Sequence, residues 1–152
     1  MEQIEAFPIY FCAEIPSFRK EDYEKLCKKQ DIVYKYLKSN AVMAISVTDI
    51  KNMNQLRKLM DVFISIGSSN DLVVWSTKRD SFRVEERRWQ GNWEGKIRDA
   101  IVVTVDEDTN VFWIGHDGDS IVVISNSKKF SSYENIGKTF PSFVRPTVIE
   151  YE

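Results

Sequence analysis

His116 is the only histidine in the chain, and imidazole is the side-chain group that most often transfers protons near neutral pH. It lies in the run Gly-His-Asp-Gly-Asp at residues 115–119. The pair Asp117-Gly118 is typical of a tight hairpin turn, because both residue types tolerate positive φ. We therefore interpret His116 as a solvated turn residue. A metal phosphohydrolase of the histidine–aspartate class is excluded, since it needs several histidines as ligands.

The two cysteines, Cys12 and Cys27, are the candidate nucleophiles, because a thiol needs only a base nearby in space. Cys27 falls on the apolar side of a predicted helix, and Cys12 lies in a bulky apolar segment. Both fit small core residues better than reactive thiols. Paired cysteine spacings, phosphate-binding glycine loops and dinucleotide-binding motifs are absent from the sequence. We therefore expect a protein that is not an enzyme and needs no cofactor.

The acidic run Asp106-Glu107-Asp108-Thr109-Asn110 resembles the opening of a calcium-binding loop, where oxygen ligands alternate. The resemblance then ends, because Val111 takes the place of the glycine that the sharp turn needs. Asp117 also stands where a longer, bidentate glutamate is required. We therefore predict an acidic hairpin turn and no metal site.

Negative charge is concentrated in the last third of the chain. Residues 99–152 contain four basic and nine acidic residues, whereas residues 39–98 contain ten basic and seven acidic ones. Five of the acids fall in predicted turns without an intervening Lys or Arg: Asp106, Glu107, Asp108, Asp117 and Asp119. Up-and-down hairpins would place the two turns at opposite ends of the sheet, and a crossed connection would bring them together. The sequence leaves both arrangements open.

The segment 78–98 has a different character, because basic residues alternate with aromatic ones. Arg87 and Arg88 precede Trp89, and Trp93 follows in a loop that contains two glycines. Arginine binds phosphate and tryptophan stacks on bases, so a nucleic-acid-binding module is our alternative prediction, weakened by five acids within residues 78–99. Trp89 and Trp93 are also candidate anchors for a protein partner, because tryptophan is enriched at interfaces.

The elements that must position these residues are read from periodicity. Strands are predicted at 7–13, 42–47, 72–76, 82–88, 98–105, 111–115, 120–125 and 147–151. Helices are predicted from Ser17 to about residue 38, from Thr48 or Asp49 to Gly67, and from a capping box at Ser131 to about residue 140. Residues 72–75, 101–103 and 121–124 are apolar without alternation, so both faces of the sheet should be covered, by helices, a folded-over second sheet or a second subunit.

The whole chain fits one domain, because 152 residues suffice for a hydrophobic core and no linker is visible. We predict an α+β fold with a mostly antiparallel sheet of about six to eight strands, packed against two longer helices and one short helix. The acidic start broken by Pro8 is unlike an export signal, and no apolar run is long enough to cross a membrane. We expect a cytoplasmic protein, and the apolar strands leave a homodimer open.

The acidic, tryptophan-containing loops and the segment Phe112-Trp113-Ile114-Gly115-His116-Asp117-Gly118-Asp119, which leads into residues 130–136, resemble immunity proteins of bacterial toxin systems, including contact-dependent growth inhibition. The resemblance implies a protein that binds a cognate toxin domain, often a nuclease, and blocks its active site or substrate groove. Clustered carboxylates could then imitate phosphates on a basic groove and accelerate the encounter.

Overall fold

The computed structural model describes residues 7–88, 95–138 and 142. The strands are β1 Ile9–Pro16, β2 Val33–Ser39, β3 Met43–Ile50, β4 Val73–Ser76, β5 Phe82–Arg88, β6 Ile97–Val103, β7 Asn110–Ile114 and β8 Ile121–Ser125. The helices are α1 Ser17–Lys29, α2 Met53–Gly67 and α3 Tyr133–Gly137. No helix in the described part of the chain combines the length and the hydrophobicity that a membrane crossing requires.

Six strands form one sheet in the order β2-β3-β1-β4-β7-β8, and β5 and β6 form a separate two-stranded sheet. Every recorded pair of strands is antiparallel. With its two longer helices and one short helix, the protein has an α+β fold, as predicted. The predicted strand at 147–151 lies outside the described residues.

Helices α1 and α2 cover one face of the six-stranded sheet. The central strand β1 directs Phe11 toward them, and its ring stacks on Phe63 of α2 at a centroid distance of 4.5 Å. Trp75 of β4 lies 5.1 Å from Phe11 on the other side, and Phe112 of β7 lies 5.6 Å from Trp75. This row of stacked rings joins α2 to three neighbouring strands and forms the centre of the larger hydrophobic core.

The two-stranded sheet covers part of the opposite face. Cys12 of β1 and Val74 of β4 point to this side and pack in one cluster with Phe82 of β5 and Ile101 of β6. This second layer explains why the strand at 72–76 lacks alternation, since its residues pack alternately toward the helices and toward the two-stranded sheet. The prediction that both faces are covered is confirmed for this strand, whereas of residues 101–103 only Ile101 and Val103 join the cluster.

For β8, no cover is present in the described part of the chain, and cover by a second subunit stays a prediction. Ile121, Val122 and Ile124 are 63%, 37% and 50% exposed. β8 is the last strand of the six-stranded sheet, and neither the helix layer nor the two-stranded sheet covers it. An apolar sequence alone does not distinguish such a strand from a buried one.

The predicted first helix is too long. α1 ends at Lys29, Asp31 adopts a left-handed φ of 52°, and Val33–Ser39 is the edge strand β2. Tyr34 and Tyr36 alternate with lysines in this segment, a pattern that suits a half-buried strand. The rings of Tyr34 and Tyr23 meet at 5.3 Å, so the two elements still share one apolar cluster.

The predicted helix starts are each displaced along the chain. Ser17 is the first helical residue rather than the N-cap, which is Pro16. For α2 the N-cap is Asn52, whose side chain accepts a hydrogen bond from the Gln55 amide, rather than Thr48 or Asp49, which belong to β3. α3 begins after Ser132, which caps the Asn135 amide, so the predicted capping box from Ser131 is wrong by one residue.

The predicted end of α2 at Gly67 is confirmed, and this glycine is required by packing. A Cβ atom at this position would lie 2.6 Å from Cγ2 and 2.9 Å from Cβ of Ile114. Neither atom is the free end of a flexible side chain, so α2 or β7 would have to move. We expect Gly67→Ala to lower the free energy of unfolding by about 1–2 kcal/mol despite the higher helix propensity of alanine. Urea denaturation measures this, and an unchanged or raised stability would contradict the close packing of α2 on β7.

Candidate protein-binding face

The first acidic turn, residues 106–109, connects β6 to β7 and is anchored at several points. The Asp106 carbonyl accepts hydrogen bonds from the Thr109 amide at 3.2 Å and from Asn126 Nδ2 at 3.2 Å. Asp108 has a left-handed φ of 54°. Lys78 donates to the Glu107 carbonyl, and the three carboxylates of the turn outnumber this one cation. Asp106, Glu107 and Asp108 are all exposed on this fixed backbone.

The second acidic turn, residues 116–119, connects β7 to β8. Asp117 and Gly118 both have positive φ, at 58° and 73°, as the Asp-Gly sequence predicts. Asn70 fixes the turn to the end of α2, because its side chain accepts from the Asp117 amide at 3.1 Å and donates to Asp117 Oδ1 at 3.3 Å. The His116 ring lies 2.9 Å from Asp117 Oδ2. Asp117 and Asp119 are both exposed.

The two acidic turns lie at opposite ends of β7. Of the two arrangements that the sequence left open, the structure therefore has the up-and-down hairpins and not the crossed connection. Because β8 pairs antiparallel with β7, the turns also lie near the two ends of β8. Ile121 begins β8 directly after the second turn, and Asn126 follows the last residue of β8 and bonds to the first turn. The carboxylates therefore form two separate groups with an apolar strand between them.

The two edges of the six-stranded sheet differ in charge. The β2 edge carries Lys35 and Lys38, and lysines on an edge strand discourage pairing with other chains. β8 carries neither a charged residue nor a proline. Among the described residues, no strand pairs with its outer side. We call the surface formed by β8 and the two acidic turns the β8 face. Of its apolar residues, Ile121 lies on the helix side of the sheet, and Val122 and Ile124 lie on the opposite side. Its acidic residues are Asp106, Glu107, Asp108, Asp117 and Asp119.

The predicted tryptophan anchors cannot be placed, because Trp89 and Trp93 lie outside the described residues. The arginines around them form ion pairs with carboxylates. Arg83 and Arg87 both contact Glu85, at 2.8 Å and 3.0 Å, and hold the pKa of that carboxyl below its usual range. Arg79 lies 3.0 Å from Asp49. These pairs reduce the positive charge that the nucleic-acid alternative needs along segment 78–98.

Neither of the two candidate nucleophiles, the cysteine thiols, is in its reactive deprotonated form. Burial raises the pKa of the Cys12 thiol to about 12 and that of Cys27 to about 11, so both are protonated at neutral pH. Both side chains belong to the core, as predicted. No three histidine, cysteine or acidic side chains within the described ranges converge as metal ligands would.

Sequence reasoning missed an ion pair between the two sheets. Glu14 of β1 lies 3.5 Å from Nη2 of Arg98 on β6, and only 9% of its side chain is exposed. The two residues are 84 positions apart, so no local pattern connects them. The available signal was the acidic residue among the apolar residues of β1, because a buried carboxylate needs a partner.

No protein-family model, no curated protein and no solved structure matches the chain.

Proposed function

We propose that this protein is a cytoplasmic immunity protein that binds and neutralises a cognate bacterial toxin domain, such as a nuclease of a contact-dependent growth inhibition system. It acts as a stoichiometric inhibitor and breaks no bonds itself. The observation that carries this proposal is the β8 face, an uncharged edge strand with exposed isoleucines between two anchored acidic turns.

The composition of the β8 face supports binding to a basic protein surface. Protein interfaces combine an apolar centre with a polar rim, and here the apolar centre is β8 and the rim is acidic. A nuclease groove is basic because its substrate is anionic, so five carboxylates would attract it over several ångströms before contact. The hydrogen bonds from Asn70 and Asn126 hold the acidic turns in place before binding, which lowers the entropic cost of association.

Neutralising the first acidic turn tests this proposal. An immunity gene normally lies directly downstream of its toxin gene, so the partner is the toxin domain encoded there. The variant Asp106→Asn/Glu107→Gln/Asp108→Asn should slow association with this domain about tenfold and flatten the dependence of the rate on salt. Stopped-flow association rates at several salt concentrations measure this, and toxin co-expression shows whether growth is protected.

The matched control is Glu21→Gln/Asp22→Asn/Asp61→Asn, which removes three exposed carboxylates from α1 and α2. It should leave the association rate within about twofold of the native rate. If both triple variants associate equally fast, the acidic turns do not steer the partner. If the native protein does not protect cells from the toxin, the immunity function itself is wrong.

A further inference from the structure

A cleft separates β6 from the six-stranded sheet, beside the second acidic turn. Its volume is about 390 Å³, within the range of sites that hold small ligands. Leu72, Ile101, Trp113 and Ile114 contribute apolar walls, and the charged residues Glu14, Arg98 and Asp99 also line it. An apolar cleft with a few converging polar groups is typical of a binding site.

The carboxylate of Glu14 lies on the central strand β1 and is only partly satisfied by its neighbours. The Leu72 amide donates to Oε2 at 2.9 Å. Nη2 of Arg98 lies 3.5 Å from both carboxylate oxygens, whereas a strong hydrogen bond between a guanidinium and a carboxylate measures about 2.7–2.9 Å. A carboxylate accepts about four hydrogen bonds, so Glu14 retains acceptor capacity toward the cleft.

Acidic and basic groups are mixed around the cleft. Burial raises the pKa of Glu14, and the charge of Asp71 adds to the increase while Arg98 opposes it. Burial also raises the pKa of Asp71, and the charges of Arg98 and Arg19 oppose the increase. Asp99, which lines the cleft, lies 3.3 Å from Lys38. A cation that replaces Arg98 beside Glu14 would favour the ionised carboxylate, as Arg98 does now.

We propose that this cleft binds a guanidinium or ammonium group on an apolar stem, with Glu14 as the acceptor of the cation and Trp113 and Ile101 beside the stem. The contact with Arg98 shows that a guanidinium can approach this carboxylate. The ligand would compete with the Arg98 side chain for that position. The cation can be a free small molecule or an arginine side chain of a protein partner. The proposal does not depend on toxin inhibition.

The test uses n-butylguanidinium, with n-butylurea as an uncharged molecule of almost the same shape. Isothermal titration calorimetry should show weak binding of the cation to the native protein and none of the urea. Arg98→Gln removes the internal competitor and should tighten binding of the cation about tenfold. Glu14→Gln keeps an acceptor for the Leu72 amide but removes the charge, and should weaken binding at least tenfold.

The peptide acetyl-Gly-Arg-Gly-amide distinguishes the two sources of the cation. Binding of n-butylguanidinium shows that a free cation is sufficient, and binding of the peptide alone indicates an arginine presented by a partner. The proposal is overturned if neither probe binds the native protein or Arg98→Gln, if Arg98→Gln binds no more tightly than the native protein, or if n-butylurea binds equally well. Because Glu14→Gln could fail to fold, the Arg98→Gln and n-butylurea comparisons test the site without it.

Discussion

Phe63→Ala is expected to lower the free energy of unfolding by about 3–5 kcal/mol, a large part of the total stability of a domain of this size. Phe63 is fully buried on α2, and its ring stacks on Phe11 of the central strand. Truncation removes the contact that joins the helix layer to the row of aromatic rings and leaves a cavity at its end. Urea denaturation followed by circular dichroism measures the change in free energy.

Ile64→Ala provides the matched control, because Ile64 follows Phe63 in the same helix and is 46% exposed. Its truncation should cost less than about 1 kcal/mol. Comparable losses for the two variants would mean that α2 does not pack on the sheet through the face that contains Phe63.

Ile121→Lys/Ile124→Lys is expected to weaken the complex with the toxin domain about a hundredfold, which corresponds to about 2.7 kcal/mol of binding free energy. Both side chains are among the most exposed apolar ones that the structure describes, and both lie between the acidic turns. Lysines there remove apolar contact area and bring positive charge toward a basic partner. Surface plasmon resonance with the purified toxin domain measures the affinity.

Val33→Lys tests whether any lysine on a sheet edge has this effect. Val33 is 47% exposed on β2, the opposite edge of the same sheet. We expect Val33→Lys to change the affinity less than threefold and the stability by less than about 0.5 kcal/mol. An equal loss of affinity in both variants would place the binding surface elsewhere or show that the effect is general.

Much of the fold could be predicted from local patterns. The positions of α2 and of strands β4 to β8 followed from apolar runs and turn residues, and Asp117 and Gly118 adopt the positive φ that their sequence requires. The five acidic residues were correctly assigned to turns, because charged runs of this kind rarely occupy buried strands.

The errors arise where a local pattern fits two structures. Residues 33–39 continue the apolar spacing of α1, yet they also alternate as a strand does, and pairing with β3 favours the strand. The apolar sequence of β8 resembles that of β4, but β4 is central and β8 is at an edge. Burial is decided by the order of strands, which periodicity does not contain.

The cleft could not be predicted because it depends on the relation between two sheets. The sequence indicated that β5 and β6 were strands, but not that they leave the main sheet and pack across its face. That arrangement brings Arg98 to Glu14 and opens the cleft beside them. Contacts of this kind join distant parts of the chain and leave little trace in local composition.

The most direct test of the central claim is hydrogen exchange of the protein alone and in complex with the purified toxin domain. An edge strand exposes backbone amides on its outer side, and a partner that covers β8 should slow their exchange. We predict that Ile121–Ser125 and both acidic turns become protected by at least tenfold, while α1 remains unchanged. Unchanged exchange in β8, with new protection confined to the helix layer, would contradict the account.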